Sequence, residues 1–269
     1  MSVDTKTVAT HLLQAYRQGT LMALPSAQGN FTLEQAFAAA EEIRQLRIAA
    51  GETAVGYKIG FTNRSIWPKY GVFAPIWAPV WDSTTALLDA ADASLSLDDL
   101  VQPRLEPEIV FGFARAPEPG MSAEQLIGCL DWVAHGVEIV HTHFEGWKFT
   151  AADSVADFGL HGALRVGPRC SVRKFQHLSQ QLADLQIELA CDGEVVDRGQ
   201  GSLVLDSPLQ ALHLWLQAMQ SQTPQWQVKA GDVVTTGTLT DAWPLRPGQR
   251  WTTRLSDQRL ADLDLSITD

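Results

Sequence analysis

The sequence predicts a protein of the α+β class, on three observations. Apolar residues recur with helical spacing before residue 53. Short alternating runs typical of β-strands recur from there to the end. The glycine-rich phosphate loops of nucleotide-binding α/β proteins are missing. We therefore expect an N-terminal helical segment, residues 1–52, packed on a β-rich main domain, residues 53–269.

The composition indicates a globular protein. Of 269 residues, 45% are hydrophobic and 19% charged, which is typical of a chain that buries a substantial core. Lysine and arginine total 20 against 31 acidic residues, giving a net charge of −11, and no basic run is present. This charge argues against binding to nucleic acid or to an anionic membrane.

The sequence also indicates a compartment. No apolar run has the length of a bilayer-spanning helix, and the N-terminus lacks the pattern of a secretion signal. The three cysteines, Cys129, Cys170 and Cys191, are far apart and odd in number, which argues against structural zinc and favours a reducing compartment. We therefore expect a cytoplasmic protein.

Two N-terminal helices are predicted as packing elements. Residues 5–18 carry apolar side chains on one helical face. The second helix begins at Thr32, which forms a capping box with Gln35, and ends near Gly51.

A strand that carries a lysine follows the helices. Residues 54–61 alternate, so Lys58 lies on one face between Gly56 and Gly60, which have no side chains. This partly buried setting predicts a lowered pKa for Lys58 and a role in carrying protons. The alternative is a lysine that protects the edge of a sheet.

An aromatic-rich stretch, residues 67–82, comes next. Two prolines within its residues 71–82, Pro75 and Pro79, argue against a central strand and favour an extended loop. Its aromatic residues either line a pocket for an apolar or unsaturated ligand or pack in the core; they are Trp67, Phe73, Trp77 and Trp81. Asp82 follows these residues and, taken alone, is typical of an aspartate in a turn.

A strand predicted at residues 104–111 carries two glutamates. Because strand side chains alternate, Glu106 and Glu108 point to one face and lie close together. A cation relieves their repulsion, and Mg²⁺ or Mn²⁺ prefers such oxygen ligands. The alternative for this motif alone is a solvated acidic face. Glu138, in a β-rich run at residues 136–140, would complete a three-carboxylate site on an adjacent strand.

The segments around Glu138 contain a helix signal and two histidines. A capping box at Ser122 predicts a helix that extends to Val133. His141 and His143 share a strand face, as some zinc ligands do, but no further ligand follows at a familiar spacing. Hydrogen-bonded or exposed histidines are the interpretation that we favour.

The last third is predicted to be rich in strands. Residues 185–189 alternate, a hairpin turn follows at 192–193, and a helix begins at Ser207 with Pro208 at its first position. Residues 230–240 form a strand that ends in a hydroxyl-rich loop. The N–H groups and hydroxyls of this loop are suited to holding a carboxylate, although a plain strand-to-turn transition fits equally well.

Together these runs resemble the hydratase and decarboxylase branch of the fumarylacetoacetate hydrolase superfamily, in order from about residue 32 to 265. This branch includes 2-keto-4-pentenoate (2-hydroxypentadienoate) hydratase and 4-oxalocrotonate decarboxylase of aromatic meta-cleavage pathways. The matching runs are 56–62, Gly71-Val72 with Pro75 and Asp82, 103–108, 137–139, 154–157, Pro208, and Thr236-Gly237 with Thr240. Their order is specific to the superfamily more than to one reaction.

The resemblance implies a mixed, largely antiparallel β-sheet roll preceded by N-terminal helices, usually in a homo-oligomer. The β-rich part, residues 53–269, is then the catalytic domain. Glu106, Glu108 and Glu138 fall at the family's Mg²⁺ or Mn²⁺ ligands. Lys58 matches its proton-handling lysine.

The resemblance also implies a second acid–base residue and contacts to the substrate. Asp82 matches the former, and Thr240 matches a position near the substrate carboxylate. Where family members usually continue Val-Ala-Asp with Asn-Ala-Ser-Ser, this chain has Phe-Gly-Leu-His. We therefore expect Phe158 and His161, with Trp81, to contact the substrate and to decide its identity.

The expected activity is that of a metal-dependent lyase in aromatic catabolism, hydrating 2-hydroxypenta-2,4-dienoate to a 4-hydroxy-2-oxo acid. The metal stabilises the enolate charge of such a substrate. The apolar surroundings of Trp77, Trp81 and Phe158 favour hydration over decarboxylation of 2-oxo-3-hexenedioate. The second carboxylate of that substrate needs a basic partner, such as Arg64 or Arg104.

Two further alternatives stay open on the sequence. One is hydrolysis of a C–C bond in an acylpyruvate, with His161 or His135 as the base. The other is a protein without activity of its own, an inactive subunit or binding partner of a pathway enzyme.

Overall fold

The computed structural model describes residues 3–269, apart from the side chains of residues 69 and 70. Its helices are α1 Thr5–Gln18, α2 Leu33–Ala49, α3 Trp67–Tyr70, α4 Ala123–Ile127, α5 Ala151–Ala156, α6 Leu178–Ala183 and α7 Pro208–Gln222. Its strands are β1 Ala54–Gly60, β2 Ile76–Trp81, β3 Thr85–Leu87, β4 Asp92–Ser96, β5 Arg104–Phe113, β6 Leu130–Val140, β7 His161–Val166, β8 Cys170–Ser171, β9 Gln186–Cys191, β10 Glu194–Gln200, β11 Val233–Thr238, β12 Trp243–Pro244, β13 Arg250–Leu255 and β14 Asp264–Thr268. Within residues 3–269, no helix combines the length and apolar character needed to cross a bilayer.

The strands form two sheets. The larger has nine strands in the order β2-β1-β11-β5-β6-β7-β3, with β12 paired to β5 and β8 to β6. The smaller has the order β10-β9-β13-β14-β4. Most neighbours are antiparallel, and the pairs β1 with β11, β3 with β7 and β4 with β14 are parallel. The predicted α+β class with mixed, largely antiparallel sheets is confirmed.

The centre of the larger sheet carries the predicted carboxylates. In the antiparallel pair β5 and β6, Glu106 lies opposite Glu138 and Glu108 opposite Gly136. Strand β11 separates β5 from β1, which carries Lys58. The alternation of each strand therefore turns all four charged side chains toward one region of the sheet.

The N-terminal helices share the hydrophobic core of the larger sheet. The capping box between Thr32 and Gln35 forms at the start of α2. Further along this helix, Phe37 packs on Trp77 of β2 with ring centroids 4.5 Å apart. The division of the chain into a helical segment, residues 1–52, and a separate β-rich domain stays a prediction.

Two stretches differ from the sequence-based expectation. Residues 76–81 form strand β2 and not a loop; Pro79 is tolerated because β2 is an edge strand of the larger sheet. The helix that begins after Ser122 ends at Ile127, and Leu130 and Val133, which were predicted to continue it, belong to β6. Strand pairing there overrides the helical spacing of the apolar residues.

Candidate metal centre and pocket

Three glutamates converge where β5 and β6 pair. One oxygen from each of Glu106, Glu108 and Glu138 lies within 4.8 Å of the other two. In the part of the chain that the structure describes, this is the only such group of three among His, Cys, Asp and Glu. Oxygens at this separation are able to share one hard divalent cation. The structure therefore brings together the three carboxylates that the sequence singled out.

Glu108 is held by strand β11. Its Oε2 accepts a hydrogen bond from the Thr235 hydroxyl and one of 2.7 Å from the Gly237 amide. Its Oε1 is buried and has no hydrogen-bond partner among the described residues. The hydroxyl-rich end of this strand, predicted to hold a carboxylate, thus holds one that belongs to the protein itself.

Glu138 is held from the opposite side. Its Oε1 accepts a hydrogen bond of 2.8 Å from His161 Nδ1. Its Oε2 forms an ion pair with Lys58, 3.1 Å from Nζ. Among the described residues, this oxygen has no hydrogen-bond partner of regular geometry. Both buried glutamates therefore have one oxygen fixed by the protein and one left for the shared centre.

The charges at this centre do not balance without a cation. Three carboxylates and one ammonium sum to −2 when all are ionised. Burial raises the pKa of Glu106 to about 7, and burial together with Glu138 and Glu106 raises the pKa of Glu108 well above its usual range. A divalent cation supplies the two missing charges. The all-oxygen donor set fits a hard ion such as Mg²⁺ or Mn²⁺.

The partners of Glu138 affect it differently. Burial raises the pKa of this carboxyl, but Lys58 and the hydrogen bond from His161 outweigh burial and hold the pKa below its ordinary value. Glu138 is therefore the carboxylate of this group that stays ionised most readily.

Lys58 lies on the predicted face, but its pKa shifts the other way. The side chain is 3% exposed, and burial lowers its pKa, yet Glu138, Glu106 and Glu108 outweigh burial and raise it. The prediction of a lowered pKa was wrong, because spacing alone did not reveal three carboxylates around the amine. Gly60 does keep space there, since a Cβ on it would lie 3.7 Å from Lys58 Nζ.

Asp82 does not join this group. It lies in the turn after β2, exposed, and its carboxylate accepts hydrogen bonds from the Thr53 and Ser83 amides. These bonds, foremost that from Thr53, lower its pKa. Its environment is that of a turn aspartate, and the geometry gives no support to an acid–base role beside Lys58.

A cavity of about 310 Å³ is lined by Lys58 and Glu106. Glu108 and Glu138 do not line it, but an oxygen of each lies within 4.8 Å of one on Glu106, and we call these four residues the floor of the pocket. We call the side chains from the surrounding loops and strand ends its wall: Phe61, Ile66, Arg104, Trp147, Phe149, Leu160 and Asp241. The wall is mainly apolar and aromatic. Sequence reasoning did not assign these aromatic and aliphatic residues to the pocket.

The residues predicted to contact a substrate lie beside this wall. Phe158 packs on Tyr16 with ring centroids 4.8 Å apart. Trp81 is buried under the Arg47 guanidinium, 4.5 Å from its ring. Thr240 donates its hydroxyl to the Asp241 carbonyl. Close sequence neighbours of Phe158 and Thr240 line the pocket instead.

Three further buried histidines are hydrogen-bonded, and for His141 and His143 this is the interpretation that the sequence favoured. His143 Nδ1 donates to Asp157 at 2.5 Å, and His141 Nδ1 accepts from the Val101 amide at 3.3 Å. His135 is hydrogen-bonded through both ring nitrogens, to a backbone carbonyl and to a hydroxyl, and lies outside the pocket. None of the three is placed to act as a base on a bound substrate.

The mixed sheets, the three converging carboxylates and the pocket beside them are those of an α+β protein whose carboxylates are able to hold a divalent cation. The chain belongs to the fumarylacetoacetate hydrolase family: residues 83–263 match the family described as fumarylacetoacetate (FAA) hydrolase C-terminal. The resemblance read from the sequence motifs is thereby confirmed.

Individual relatives have two activities. The chain is 30% identical over 248 residues to 2-hydroxyhexa-2,4-dienoate hydratase of Comamonas testosteroni, covering 91% of each chain. It is 28% identical over 235 residues to 4-oxalocrotonate decarboxylase of a Pseudomonas species, covering 85% of this chain and 86% of the relative.

A solved structure shares the fold. It is that of 4-oxalocrotonate decarboxylase from Pseudomonas putida G7, complexed with magnesium and adipate. The TM-score is 0.88 at 24% identity, over 98% of this chain and 97% of the other.

Proposed function

We propose that the protein is a metal-dependent hydro-lyase that hydrates 2-hydroxypenta-2,4-dienoate to a 4-hydroxy-2-oxo acid in aromatic catabolism. The observation that carries this proposal is the pair of buried carboxylate oxygens without a hydrogen-bond partner, on Glu108 and Glu138, the second of which lies beside the Lys58 ammonium. Glu106 completes the proposed ligand set for Mg²⁺ or Mn²⁺ at the base of a pocket sized for a small acid.

The proposed chemistry divides between the cation and Lys58. A bound divalent cation supplies Lewis acidity, which stabilises the enolate charge of a 2-oxo acid. Lys58 holds a proton at Nζ, at the floor of the pocket, and donates it to the terminal carbon of the dienol. The enol hydroxyl proton passes through water back to Lys58 Nζ, which restores the ammonium group, and the product is an α,β-unsaturated 2-oxo acid. Water then adds across the double bond, placing hydroxyl on C4 and a proton on C3.

The wall of the pocket supports hydration. Phe61, Ile66 and Leu160 surround the space above the floor with apolar groups, which suit a vinyl or alkyl tail. Asp241 also lines this space, and its carboxylate would repel a second acid group on the substrate. Hydratase activity is also the activity of the first relative described above.

Decarboxylation of 2-oxo-3-hexenedioate is the second candidate, and Arg104 favours it. Its guanidinium lies 4.3 Å from the Trp147 ring within the pocket wall, where it could pair with a distal carboxylate. The similar decarboxylase structure was solved with adipate, which is a dicarboxylate. Both reactions would use the same floor residues. Their substrates differ in the distal group that would contact the wall.

Acylpyruvate hydrolysis has less support. It requires a base for water, and both ring nitrogens of His161 are within hydrogen-bond distance of other groups, while His135 lies outside the pocket.

The test is an incubation of the purified protein and Mg²⁺ with each substrate. We expect 2-hydroxypentadienoate to lose its dienol absorbance and to gain one water by mass spectrometry, with no reaction in EDTA. Carbon dioxide release from 2-oxo-3-hexenedioate, without water addition to the dienoate, would make the protein a decarboxylase. Metal binding with every substrate recovered unchanged would point to an inactive subunit or binding partner.

We further propose that the protein works in the cytoplasm as a homo-oligomer, with or without another pathway enzyme attached. The three cysteines, which are widely spaced and odd in number, support the compartment. Light scattering on the purified protein tests the oligomer, and a monomeric mass would refute it.

A further inference from the structure

His161 contacts a floor residue, not the pocket. The ring is 2% exposed; Nδ1 lies 2.8 Å from Glu138 Oε1 and Nε2 lies 2.8 Å from Thr84 Oγ1. Because an ionised carboxylate only accepts hydrogen bonds, Nδ1 carries the proton. Glu138, His161 and Thr84 therefore form one connected chain of hydrogen bonds.

The backbone before His161 adopts an unusual conformation. The residues with left-handed φ angles are Phe158 at 55°, Gly159 at 60° and Leu160 at 68°. Side chains other than glycine seldom adopt this region, and such strain persists only where surrounding contacts determine it. Here the Leu160 amide donates to the Asp157 carbonyl at 2.7 Å, and the Leu160 carbonyl accepts from the His141 amide at 2.9 Å. The turn places His161 on Glu138 and Leu160 in the wall.

Thr84 fixes the far end of the chain. Its Oγ1 lies 3.3 Å from the Trp81 amide, which donates to it, and 3.2 Å from the Trp81 carbonyl. The residue also lines a second cavity, of about 260 Å³, together with Gly162 and Arg165. This cavity shares no lining residue with the pocket over the floor. His161 is therefore supported from outside the pocket and is not part of its wall.

We propose that His161 is a positioning residue for the metal centre and that Thr84 holds His161 in place. The His161 hydrogen bond fixes Glu138 Oε1, which leaves Oε2 for the cation. Without that donor, Oε1 would be a second unpaired buried oxygen, and the carboxylate would turn toward the Lys58 ammonium to satisfy it. The inference rests on the proposed role of the three glutamates as metal ligands.

The test compares two near-isosteric replacements at the same position. Asn keeps a donor close to the place of Nδ1, whereas Leu has a similar shape and no donor. We expect His161→Leu to weaken Mn²⁺ affinity by about 10- to 100-fold, the range typical of groups that orient ligands, and His161→Asn by less than about threefold. Thr84→Val, which keeps the shape of Thr84, should lie between them. Calorimetry on metal-free protein gives the affinities, and thermal unfolding reports folding of each variant.

Each outcome of these measurements supports or refutes the role proposed for His161 or for Thr84. A folded His161→Leu variant that binds Mn²⁺ as tightly as the wild type would overturn the inference and leave the metal centre standing. Equal losses in the Leu and Asn variants would also overturn it, because packing and not the hydrogen bond would then be responsible. Wild-type protein that binds no Mn²⁺ would refute the metal centre and the inference together. If His161→Leu does not fold, the comparison of His161→Asn and Thr84→Val with the wild type carries the test: equal affinity in Thr84→Val would refute the role of Thr84.

Discussion

The floor and the wall of the pocket are built from different parts of the chain. The floor side chains stand on β1, β5 and β6, inside the larger sheet, where pairing register and alternation determine which way each side chain points. Much of the wall comes from segments between strands, around residues 61–66, 147–149 and 159–160. Chemistry thus resides on the rigid sheet, and the shape offered to a substrate resides largely on loops.

Because of this difference, substitutions in the floor and in the wall are expected to have different effects on activity. A substitution in the floor is expected to affect every substrate, because the proposed metal and the proposed proton carrier would serve each reaction alike. A substitution in the wall is expected to affect one substrate and spare another. The predictions below use this distinction, beginning with the largest effect.

The first prediction concerns Lys58 as the proton carrier of the floor. Lys58→Met should reduce kcat by about 10²- to 10⁴-fold for any substrate turned over, the range of a lost general acid. Mn²⁺ affinity should not fall, because removal of a positive charge next to Glu138 leaves the ligands intact. Steady-state kinetics and calorimetry measure the two quantities, with Lys229→Met, an exposed lysine, as the control. Loss of Mn²⁺ binding with unchanged kcat at saturating metal would contradict the assignment.

The second prediction concerns Glu108 as a ligand. Glu108→Gln keeps an acceptor for the Thr235 hydroxyl and the Gly237 amide but removes the charge. We expect Mn²⁺ affinity to fall by about 100-fold or more, beyond the usual effect of groups that only orient ligands. Glu188→Gln is the matched control, since Glu188 lies in the smaller sheet and pairs with Arg198. Equal Mn²⁺ affinity in both variants would remove Glu108 from the ligand set.

The same distinction explains how much could be predicted from the sequence. Period-two alternation placed Glu106 and Glu108 on one face, because strand geometry is local and regular. The β-rich run around Glu138 suggested the third carboxylate, and the resemblance agreed with it. The raised pKa of Lys58 could not be predicted, since it depends on carboxylates from strands distant in the chain. Asp82 was matched by its position in a motif, and the structure places its carboxylate in a turn.

The wall was less predictable still. Leu160 enters the pocket through a turn of left-handed residues that no spacing rule foresees. The aromatic residues around Trp77 were predicted either to line a pocket or to pack in the core. Trp77 packs in the core, where it is fully buried against Phe37. Trp147 and Phe149, in a short loop after β6, line the pocket instead. Their W-x-F spacing was visible, but nothing local to it indicates which cavity it faces.

The third prediction concerns His141, which follows strand β6, and tests the stability of the fold and not the metal site. Just past Glu138, His141 is buried; burial and the charge of His143 lower its pKa to about 3. In the unfolded chain it takes a proton near its ordinary pKa of about 6.5, while the folded state stays neutral. The free energy of unfolding is therefore unaffected by His141 above pH 6.5 and falls as pH decreases toward 3.

At pH 5 this loss amounts to about 2 kcal/mol, from about 1.5 pKa units at 1.36 kcal/mol each. His141→Asn, whose side-chain oxygen is able to accept from the Val101 amide, should show a pH 7.5 to pH 5 decrease smaller by about that amount. Urea unfolding in EDTA at both pH values measures it. An identical decrease in both proteins would show that His141 becomes protonated in the folded state as readily as in the unfolded one.

The last prediction addresses the wall through Arg104, the cation that favours a dicarboxylate. Arg104→Met should weaken competitive inhibition by adipate about tenfold, because a charge-assisted hydrogen bond to the distal carboxylate is lost. The KM for 2-hydroxypentadienoate should change by less than about twofold, since that substrate has no distal acid. Arg64→Met is the matched control: Arg64 also lies near a tryptophan ring, that of Trp67, but does not line the pocket.

Inhibition constants for adipate and KM values for the dienoate, measured with all three proteins at saturating Mg²⁺, provide the comparison. Equal effects of Arg104→Met on the two ligands would mean that Arg104 contacts the part that they share, near the floor. The division between a floor that serves every substrate and a wall that selects among them would then fail at this residue. A selective effect on adipate would instead identify the end of the pocket at which hydratase and decarboxylase substrates are distinguished.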